Sequence, residues 1–214
     1  MSGGEPPGGV LVVCTGNVCR SPAGELLLRA RLRGTRVEVA SAGTRALVGA
    51  PVDGPMAAEL LAVGVDPSAF VARALRAEHL RAAGLVLAMG REHRAAAAAL
   101  VPAAVRRTLL LTEAAGLAAV VAADGWPGDV APDPAARLAA LPRLAPRYRR
   151  PGGTADPDVT DPFRRPAAVT REAFVRIRDA VDLLVDSLTG SLADPVAAGH
   201  PAGTLRHPTG SSWG

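Results

Sequence analysis

The sequence predicts an α/β fold built on an open parallel sheet. Short apolar runs of four or five residues alternate along the chain with longer segments of helical pattern. Continuous apolar runs are typical of strands buried on both faces, as in parallel sheets covered by helices. The 214 residues suit one domain with a sizeable core. We therefore expect strands that alternate with helices through right-handed crossovers.

The first strand and the first helix carry the clearest local signals. The run Val10–Val13 is short, apolar and bounded by glycines, which predicts a buried strand. A helix is expected from Ser21, which is a preferred capping residue. Pro22 suits the first turn, and Glu25 is favoured near the positive end of a helix. Gly34 is expected to end this helix.

The other elements follow from the same two patterns. Apolar runs predict three further strands, for a total of four, and periodic segments ended by Gly or Pro predict helices. The last helix has apolar residues at helical spacing along its whole length. In chain order, the predicted elements are the strand Val37–Ala40, the helices Gly54–Leu61 and Ala77–Ala83, the strand Leu85–Met89, the helix Glu92–Leu100, the strand Thr108–Leu111 and the helix Arg171–Leu188.

Two regions depart from this rhythm and define the expected domain organisation. Residues 1–8 are a flexible leader, and residues 9–188 form the domain. Within it, residues from about 122 to 160 carry many Pro, Gly and Arg residues with little periodicity, which predicts a long surface loop. Residues 189–214 are rich in Gly, Pro and Ser, which predicts a disordered tail.

The composition excludes several kinds of chemistry. All 24 basic residues are Arg, so no lysine is available for a P-loop or a Schiff base. Because Arg stays charged to high pH, the basic pI of about 10.3 does not indicate nucleic-acid binding. The two Cys and four His lack zinc-site spacing, and His79 and His93 are expected at the surface.

With neither a targeting signal nor an apolar segment long enough to span a membrane, we expect a cytoplasmic protein.

The segment between the first strand and the first helix carries the chemistry. In α/β sheets, ligands bind beyond the carboxyl ends of strands, where the next helix presents its N-terminus. The loop Cys14–Pro22 joins such a strand to such a helix, so its backbone N–H groups can form a nest for a tetrahedral oxyanion. Gly16 allows a tight path, and Asn17 tolerates left-handed backbone angles and can brace the loop.

Cys14 lies at the base of this nest. The helix start, the inward N–H groups and Arg20 all favour its thiolate form, and Ser21 is placed to donate to the sulfur. The planar guanidinium of Arg20 matches two phosphoryl oxygens. A thiolate beside such a fork indicates phosphoryl transfer to sulfur. The alternative is an inert buried cysteine, which leaves Arg20 and Ser21 unexplained.

The sequence Cys-Thr-Gly-Asn-Val-Cys-Arg-Ser-Pro over Cys14–Pro22 resembles the signature loop of the low-molecular-weight protein tyrosine phosphatases. Further matches are Ser41–Thr44, Leu85–Met89 and the late Asp161–Phe163. The resemblance implies a three-layer α/β/α fold with a four-stranded parallel sheet, of the phosphatase I-like kind. It also implies hydrolysis of phosphotyrosine in proteins through a phosphocysteine intermediate, with no metal and no other cofactor.

The same resemblance suggests roles for individual residues. Asp161 corresponds to the general acid, with Asp156 and Asp158 as nearby rivals. Asn17 and Ser41 correspond to a supporting hydrogen-bonded pair. One departure is Phe70, which stands where the family often has a His. The phosphate-binding residues are expected to be Thr15, Gly16, Asn17, Val18, Cys19, Arg20 and Ser21, and the substrate slot is expected to contain Val18, Leu47 and Phe163.

Several alternatives stay open at this point. In the family, the equivalents of Cys14 and Cys19 can form a protective disulfide, but Cys19 also suits plain packing. Protein-arginine phosphatases share the scaffold, and Val18 does not separate them from tyrosine phosphatases. A third possibility is a phosphate-binding or redox-switch module without turnover. The expected partners are a phosphorylated protein or a small aryl phosphate, with inorganic phosphate in the loop and neither nucleic acid nor membrane; the sequence does not give the oligomeric state.

Overall fold

The computed structural model describes residues 8–148 and 157–190, which contain a four-stranded parallel sheet. The order β2-β1-β3-β4 places the first strand in the interior, next to both β2 and β3. Every pairing is parallel, as predicted, so the carboxyl ends of all strands meet at one edge. The strands are β1 Val10–Cys14, β2 Val39–Gly43, β3 Leu85–Ala88 and β4 Thr108–Leu110.

Helices cover both faces of the sheet, which confirms the predicted three-layer α/β/α architecture. Alternate residues of β1 enter two separate cores: Val10 and Val12 face the larger one, and Leu11 and Val13 the smaller one. The larger core includes α1, α2, α5, α6 and α7, and the smaller one includes α3 and α4. The helices are α1 Arg20–Arg31, α2 Gly54–Ala62, α3 Ala77–Ala82, α4 Arg91–Leu100, α5 Leu111–Asp124, α6 Pro134–Tyr148 and α7 Ala167–Thr189, with a short 3-10 helix at Pro102–Arg107.

The prediction of a loop from about 122 to 160 is wrong for residues 134–148. This segment forms α6 although Pro142 and Pro146 lie inside it. A proline removes one backbone hydrogen bond and disfavours the helix interior. Here Leu138, Leu141 and Leu144, three residues apart, are buried in the larger core. Their burial offsets the local cost of the prolines, and the sequence pattern alone did not reveal it.

Several smaller predictions differ from the structure or lie outside it. Helix α5 was not predicted, because the apolar run at Thr108–Leu111 was assigned to a strand and its continuation was not recognised as helical. No helix within residues 8–148 and 157–190 is long and apolar enough to cross a membrane. Most of the predicted leader, most of the predicted tail and the candidate acid Asp156 lie outside the described residues.

Candidate active site

The loop between β1 and α1 lies at the carboxyl edge of the sheet, as predicted. Cys14 is the last residue of β1, and Arg20 is the first residue of α1. Asn17 has a φ of +55°, so the residue expected to tolerate left-handed backbone angles does adopt them. The loop therefore curls back between the strand end and the helix start, where backbone N–H groups can meet an anion.

Cys14 is buried, and its sulfur lies close to the Ser21 hydroxyl. The Cys14 Sγ to Ser21 Oγ distance is 2.9 Å. The prediction that Ser21 caps α1 is wrong, because the N-cap is Cys19 and makes no side-chain capping bond. Ser21 is instead the second residue of the helix, and its hydroxyl is used inside the site.

Asn17 links the loop to the neighbouring strand. Its Nδ2 donates to Ser21 Oγ at 2.9 Å and to Ser41 Oγ at 2.8 Å. The expected pair of Asn17 and Ser41 is therefore present in the structure. On its other side, Asn17 Oδ1 accepts from the backbone N–H of Arg73 at 2.8 Å. Both polar atoms of the Asn17 side chain thus bond to other protein groups, and these bonds orient the loop before any ligand arrives.

Two supporting residues were missed by the sequence analysis. Ser41 Oγ donates to Glu25 Oε2 at 2.7 Å, and Arg73 Nε donates to the Ser41 carbonyl at 2.7 Å. Glu25, expected only to favour the helix start, is buried and holds this hydroxyl. Phe70 lies at the edge of the larger core. The local sequence gave little indication of the roles of Glu25 and Arg73, because both roles depend on contacts with Ser41, which is distant in sequence.

Gly43 allows the loop and β2 to approach closely, and this leads to the first testable prediction. A Cβ added there would lie 2.5 Å from Thr15 O and 3.0 Å from Asn17 Cβ. Backbone at 2.5 Å has to move, so we expect Gly43→Ala to destabilise the protein by about 1–3 kcal/mol and to displace the loop. Chemical denaturation measures the free energy of unfolding. Titration with inorganic phosphate measures whether the displaced loop still binds an anion.

Gly116→Ala is the matched control, because nothing lies within 4 Å of a Cβ at that position. Gly116 is exposed inside α5, where alanine favours the helix by about 0.5–1 kcal/mol. The two Gly→Ala changes should therefore shift stability in opposite directions. Equal stability of the Gly43→Ala variant and the wild type would show that the close approach is not required.

Arg20 is only 4% exposed and is held from three sides. Its Nη1 donates to the Val159 carbonyl at 3.0 Å, and its Nη2 lies 3.1 Å from Asp161 Oδ2. Nη2 also donates to Thr15 Oγ1 at 3.4 Å. Because Val159 N in turn donates to Met89 O, the end of β3 helps to anchor the segment that holds Arg20. The guanidinium is thus pre-positioned over the loop.

Asp161 and Asp158 have different surroundings. The Asp161 side chain is 54% exposed and lines the cavity above Cys14. Asp158 accepts from Arg91 N at 2.9 Å and from Arg91 Nε at 3.0 Å. Partial burial alone would raise the pKa of Asp158, but these hydrogen bonds outweigh it and lower the pKa. Both carboxylates face an Arg, but Asp161 is in the described lining of the cavity and Asp158 is not. Asp161 is therefore the carboxyl group that a ligand in the cavity would meet.

The cavity above Cys14 has a volume of about 220 Å³. Its walls bring together the expected slot residues Val18, Leu47 and Phe163, and the Arg164 guanidinium lies 5.1 Å from the centre of the Phe163 ring. Arg45, which the sequence analysis did not assign, is exposed at the same cavity. Within residues 8–148 and 157–190, no carboxylate pairs with it. The full lining is Cys14, Thr15, Gly16, Val18, Cys19, Arg20, Arg45, Leu47, Asp161 and Phe163.

Cys19 is buried, as is Cys14, and the two do not form a disulfide in the structure. Burial, together with the nearby Asp53 carboxylate and Cys14, raises the pKa of Cys19 above its ordinary value. Cys19 is therefore neutral and suits packing beneath the loop. A Cys14–Cys19 disulfide would need a change from this arrangement, and it stays a prediction.

His93 was expected at the surface, and this prediction is wrong. Its side chain is 1% exposed, and its Nε2 lies 2.9 Å from Thr15 Oγ1. His93 follows the acidic residue Glu92 in the first turn of α4, which begins at Arg91, shortly after β3 ends at Ala88. Nothing in the local sequence indicated burial, because the contact depends on β1 and β3 lying side by side.

No group of His, Cys, Asp and Glu side chains in the described part of the chain has an arrangement that could hold a metal ion. The described side chains around Cys14 instead supply a sulfur nucleophile, a cationic fork and a carboxyl group around one small cavity. Such a set can bind a tetrahedral oxyanion, can attack its central atom through sulfur, and can give a proton to the oxygen that leaves.

A family model described as "Low molecular weight phosphotyrosine protein phosphatase" matches residues 9–123. Among curated proteins, the low molecular weight protein-tyrosine-phosphatase Etp of Escherichia coli K12 is 46% identical over 101 residues, or 47% of this chain and 67% of Etp. The probable low molecular weight protein-tyrosine-phosphatase AmsI of Erwinia amylovora is 42% identical over 84 residues, or 39% of this chain and 57% of AmsI.

Solved structures agree with the sequence matches. The YwlE arginine phosphatase from Geobacillus stearothermophilus is 28% identical, with a TM-score of 0.63 over 86% of this chain and 95% of that protein. The low molecular weight protein tyrosine phosphatase from T. tengcongensis is 26% identical, with a TM-score of 0.62 over 84% of this chain and 98% of that protein. The fold is therefore shared with phosphatases whose named substrates differ.

Proposed function

The chain belongs to the low molecular weight phosphotyrosine protein phosphatase family, and we propose that it hydrolyses phosphotyrosine in proteins through a phosphocysteine intermediate on Cys14. One observation carries the proposal: Cys14, Arg20 and Asp161 line the same cavity of about 220 Å³. Anion binding alone needs neither a nucleophile nor an acid. The presence of both therefore favours an enzyme over a phosphate-binding module.

In the first step, the Cys14 thiolate attacks phosphorus, so that an S–P bond forms while the bond from phosphorus to the phenolic oxygen breaks. The loop N–H groups and the Arg20 fork bind the three non-bridging oxygens, over which the charge of the transferring phosphoryl group is spread in the transition state. Asp161 gives its proton to the departing phenolate. Because Asp161 lies 3.1 Å from Arg20 Nη2, a dianionic phosphoryl group would compete for the guanidinium and release the carboxyl group toward the leaving oxygen.

In the second step, a water molecule attacks the phosphocysteine. The Asp161 carboxylate takes a proton from that water, the P–O bond forms, and the S–P bond breaks to return the thiolate and inorganic phosphate. Ser21, at 2.9 Å from the sulfur, stabilises the departing thiolate. The side chains and loop N–H groups of this chain supply the nucleophile, the acid and the phosphoryl-binding donors, so we expect no requirement for added metal.

The walls of the cavity favour phosphotyrosine over phosphoarginine. An aryl ring needs apolar walls, and Val18, Leu47 and Phe163 supply them. A phosphoarginine would place a positively charged group beside Arg45. Among the described residues, Asp161 is the only acidic side chain in the lining, and it already faces Arg20.

Hydrolysis of phosphoarginine is the second candidate, and the likeness to the YwlE arginine phosphatase favours it. A comparison of kcat/KM for a phosphotyrosine peptide, an aryl phosphate and phosphoarginine tests the choice without added metal. We expect the aryl substrates to be preferred. A preference for phosphoarginine would support the second candidate. No turnover on any of the three substrates would leave only the hypothesis that the chain binds phosphate without hydrolysing a substrate. The cytoplasmic location stays a prediction.

Asp161→Asn tests the proposed acid. We expect kcat/KM, which reports the first step, to fall by about 10²-fold or more with phenyl phosphate, whose leaving group needs a proton. With p-nitrophenyl phosphate, whose leaving group is more stable as an anion, the first step should suffer less. The measurement is the ratio of kcat/KM for the two substrates in each variant, since kcat also contains the second step, which the substrates share.

Asp158→Asn is the matched control from the same segment, because Asp158 is held by Arg91. Its ratio of the two rates should equal that of the wild type. Loss of leaving-group assistance in Asp156→Asn or Asp158→Asn, with Asp161→Asn unaffected, would contradict the assignment of Asp161.

A further inference from the structure

His93 is a buried imidazole beneath the signature loop that the proposed reaction does not use. It lies in α4, and its Nε2 is 2.9 Å from Thr15 Oγ1. Thr15 directly follows Cys14, and its hydroxyl also accepts from Arg20 Nη2 at 3.4 Å. The Thr15 hydroxyl thus stands between the imidazole and the guanidinium. A buried polar side chain in such a place needs an explanation.

The hydrogen-bonding pattern around His93 indicates which nitrogen carries the proton. Within the described part of the chain, His93 Nδ1 has no hydrogen-bond partner. An N–H at Nδ1 would be a buried unpaired donor, whereas a bare nitrogen there leaves only a lone pair unused. The proton therefore belongs on Nε2, which donates to Thr15 Oγ1. A hydroxyl oxygen has two lone pairs, so Thr15 accepts from His93 and from Arg20 together.

Burial and the neighbouring Arg20 guanidinium keep His93 neutral. Burial, followed by the neighbouring Arg20, lowers the pKa of His93 to about 4, although Glu92, Asp161 and Asp158 act in the opposite direction. Glu92 Oε1 lies 3.4 Å from His93 Nε2 and 3.8 Å from Arg20 Nη1. A neutral donor supports the Thr15 hydroxyl without placing a second cation against the guanidinium.

We propose that His93 is a positioning residue, whose Nε2–H holds the Thr15 hydroxyl and through it one arm of the Arg20 fork. The proposal rests on the function proposed above, in which Arg20 clamps the phosphoryl group. Val159 holds the other arm, at 3.0 Å from Nη1. With both arms held, the fork is ready for two phosphoryl oxygens before the substrate arrives.

The test compares His93→Ala with His93→Gln. Glutamine can place an amide N–H near the position of Nε2, whereas alanine leaves Thr15 without this donor. We expect His93→Ala to lower kcat/KM for an aryl phosphate about tenfold, as expected for one lost hydrogen bond, and to raise the inhibition constant of inorganic phosphate by a similar factor. His93→Gln should restore most of the lost kcat/KM and most of the lost affinity for inorganic phosphate.

Thr15→Val provides a second, independent variant. If His93 acts through the Thr15 hydroxyl, Thr15→Val should weaken phosphate inhibition, and adding His93→Ala to it should cause little further loss. The ratio of rates for p-nitrophenyl and phenyl phosphate reports Asp161 rather than Arg20, so it should stay unchanged in all of these variants. His79→Ala serves as the control histidine on α3 and should match the wild type.

Two results would overturn the proposal. One is His93→Ala with wild-type phosphate inhibition, whether or not its stability falls, since that shows a structural role only. The other is full additivity of His93→Ala and Thr15→Val. Failure of the proposed function is a separate result, because the wild type itself would then not hydrolyse the aryl phosphate.

Discussion

Replacing Cys14 with serine is expected to abolish turnover while phosphate binding is retained. The change keeps the size and the hydrogen bond to Ser21, which lies 2.9 Å from the sulfur. It removes the ionised nucleophile, because a serine hydroxyl without an adjacent base stays protonated at neutral pH. Loss of a covalent nucleophile costs about 10⁴-fold to 10⁶-fold in kcat. Steady-state kinetics with an aryl phosphate measure this loss.

Calorimetric titration with inorganic phosphate is the companion measurement for Cys14→Ser. The loop N–H groups and Arg20 are unchanged in this variant, so the dissociation constant should stay close to that of the wild type or fall, because a negative sulfur no longer faces the anion. Substantial turnover by Cys14→Ser would contradict the proposed nucleophile. Loss of both turnover and phosphate binding would show that the loop itself had been disrupted.

Replacing Arg20 with lysine is expected to lower kcat/KM by about 10³-fold, the second largest effect. Lysine keeps the positive charge but cannot present two parallel N–H groups to a phosphoryl group. Its single nitrogen also cannot occupy the positions of both Nη1, which bonds Val159 O, and Nη2, which contacts Thr15 Oγ1 and Asp161. The variant should therefore show weaker phosphate inhibition as well as slower chemistry.

Arg31→Lys on the same helix is the control for Arg20→Lys. Arg31 forms a surface ion pair with Asp182 at 2.7 Å, far from the cavity, and surface ion pairs contribute little to stability. Its kinetic parameters should equal those of the wild type. Wild-type kcat/KM in Arg20→Lys would mean that a point charge is sufficient and that the fork geometry has no catalytic value.

The sequence allowed prediction of the elements that have strong local signals. Cys14 and Arg20 are placed by a strand, a short loop and a helix in direct succession, so few residues decide their geometry. Asn17 was expected to tolerate left-handed angles and has a φ of +55°. The four parallel strands followed from continuous apolar runs, because burial on both faces removes the alternation seen in other sheets.

The remaining features depend on contacts between distant parts of the chain. Residues 134–148 were predicted as loop because prolines usually interrupt helices, and only packing against the larger core explains α6. His93 is 78 positions from Thr15, and Arg73 is 56 from Asn17. No local pattern encodes such pairs. Ser21 was expected both to cap the helix and to bond the Cys14 sulfur; only the second role is present, because the helix begins one residue earlier, at Arg20.

A covalent bond between phosphorus and Cys14 is the central claim, and trapping it is the most direct test. Asp161→Asn slows release of the phosphoryl group, so it should accumulate the intermediate when mixed with p-nitrophenyl phosphate and quenched rapidly in denaturant. Peptide mass spectrometry should then find one added phosphoryl group on the peptide that contains Cys14, and none in the Cys14→Ser variant. Continued turnover with an unmodified Cys14, or with the phosphoryl group on another residue, would contradict the account.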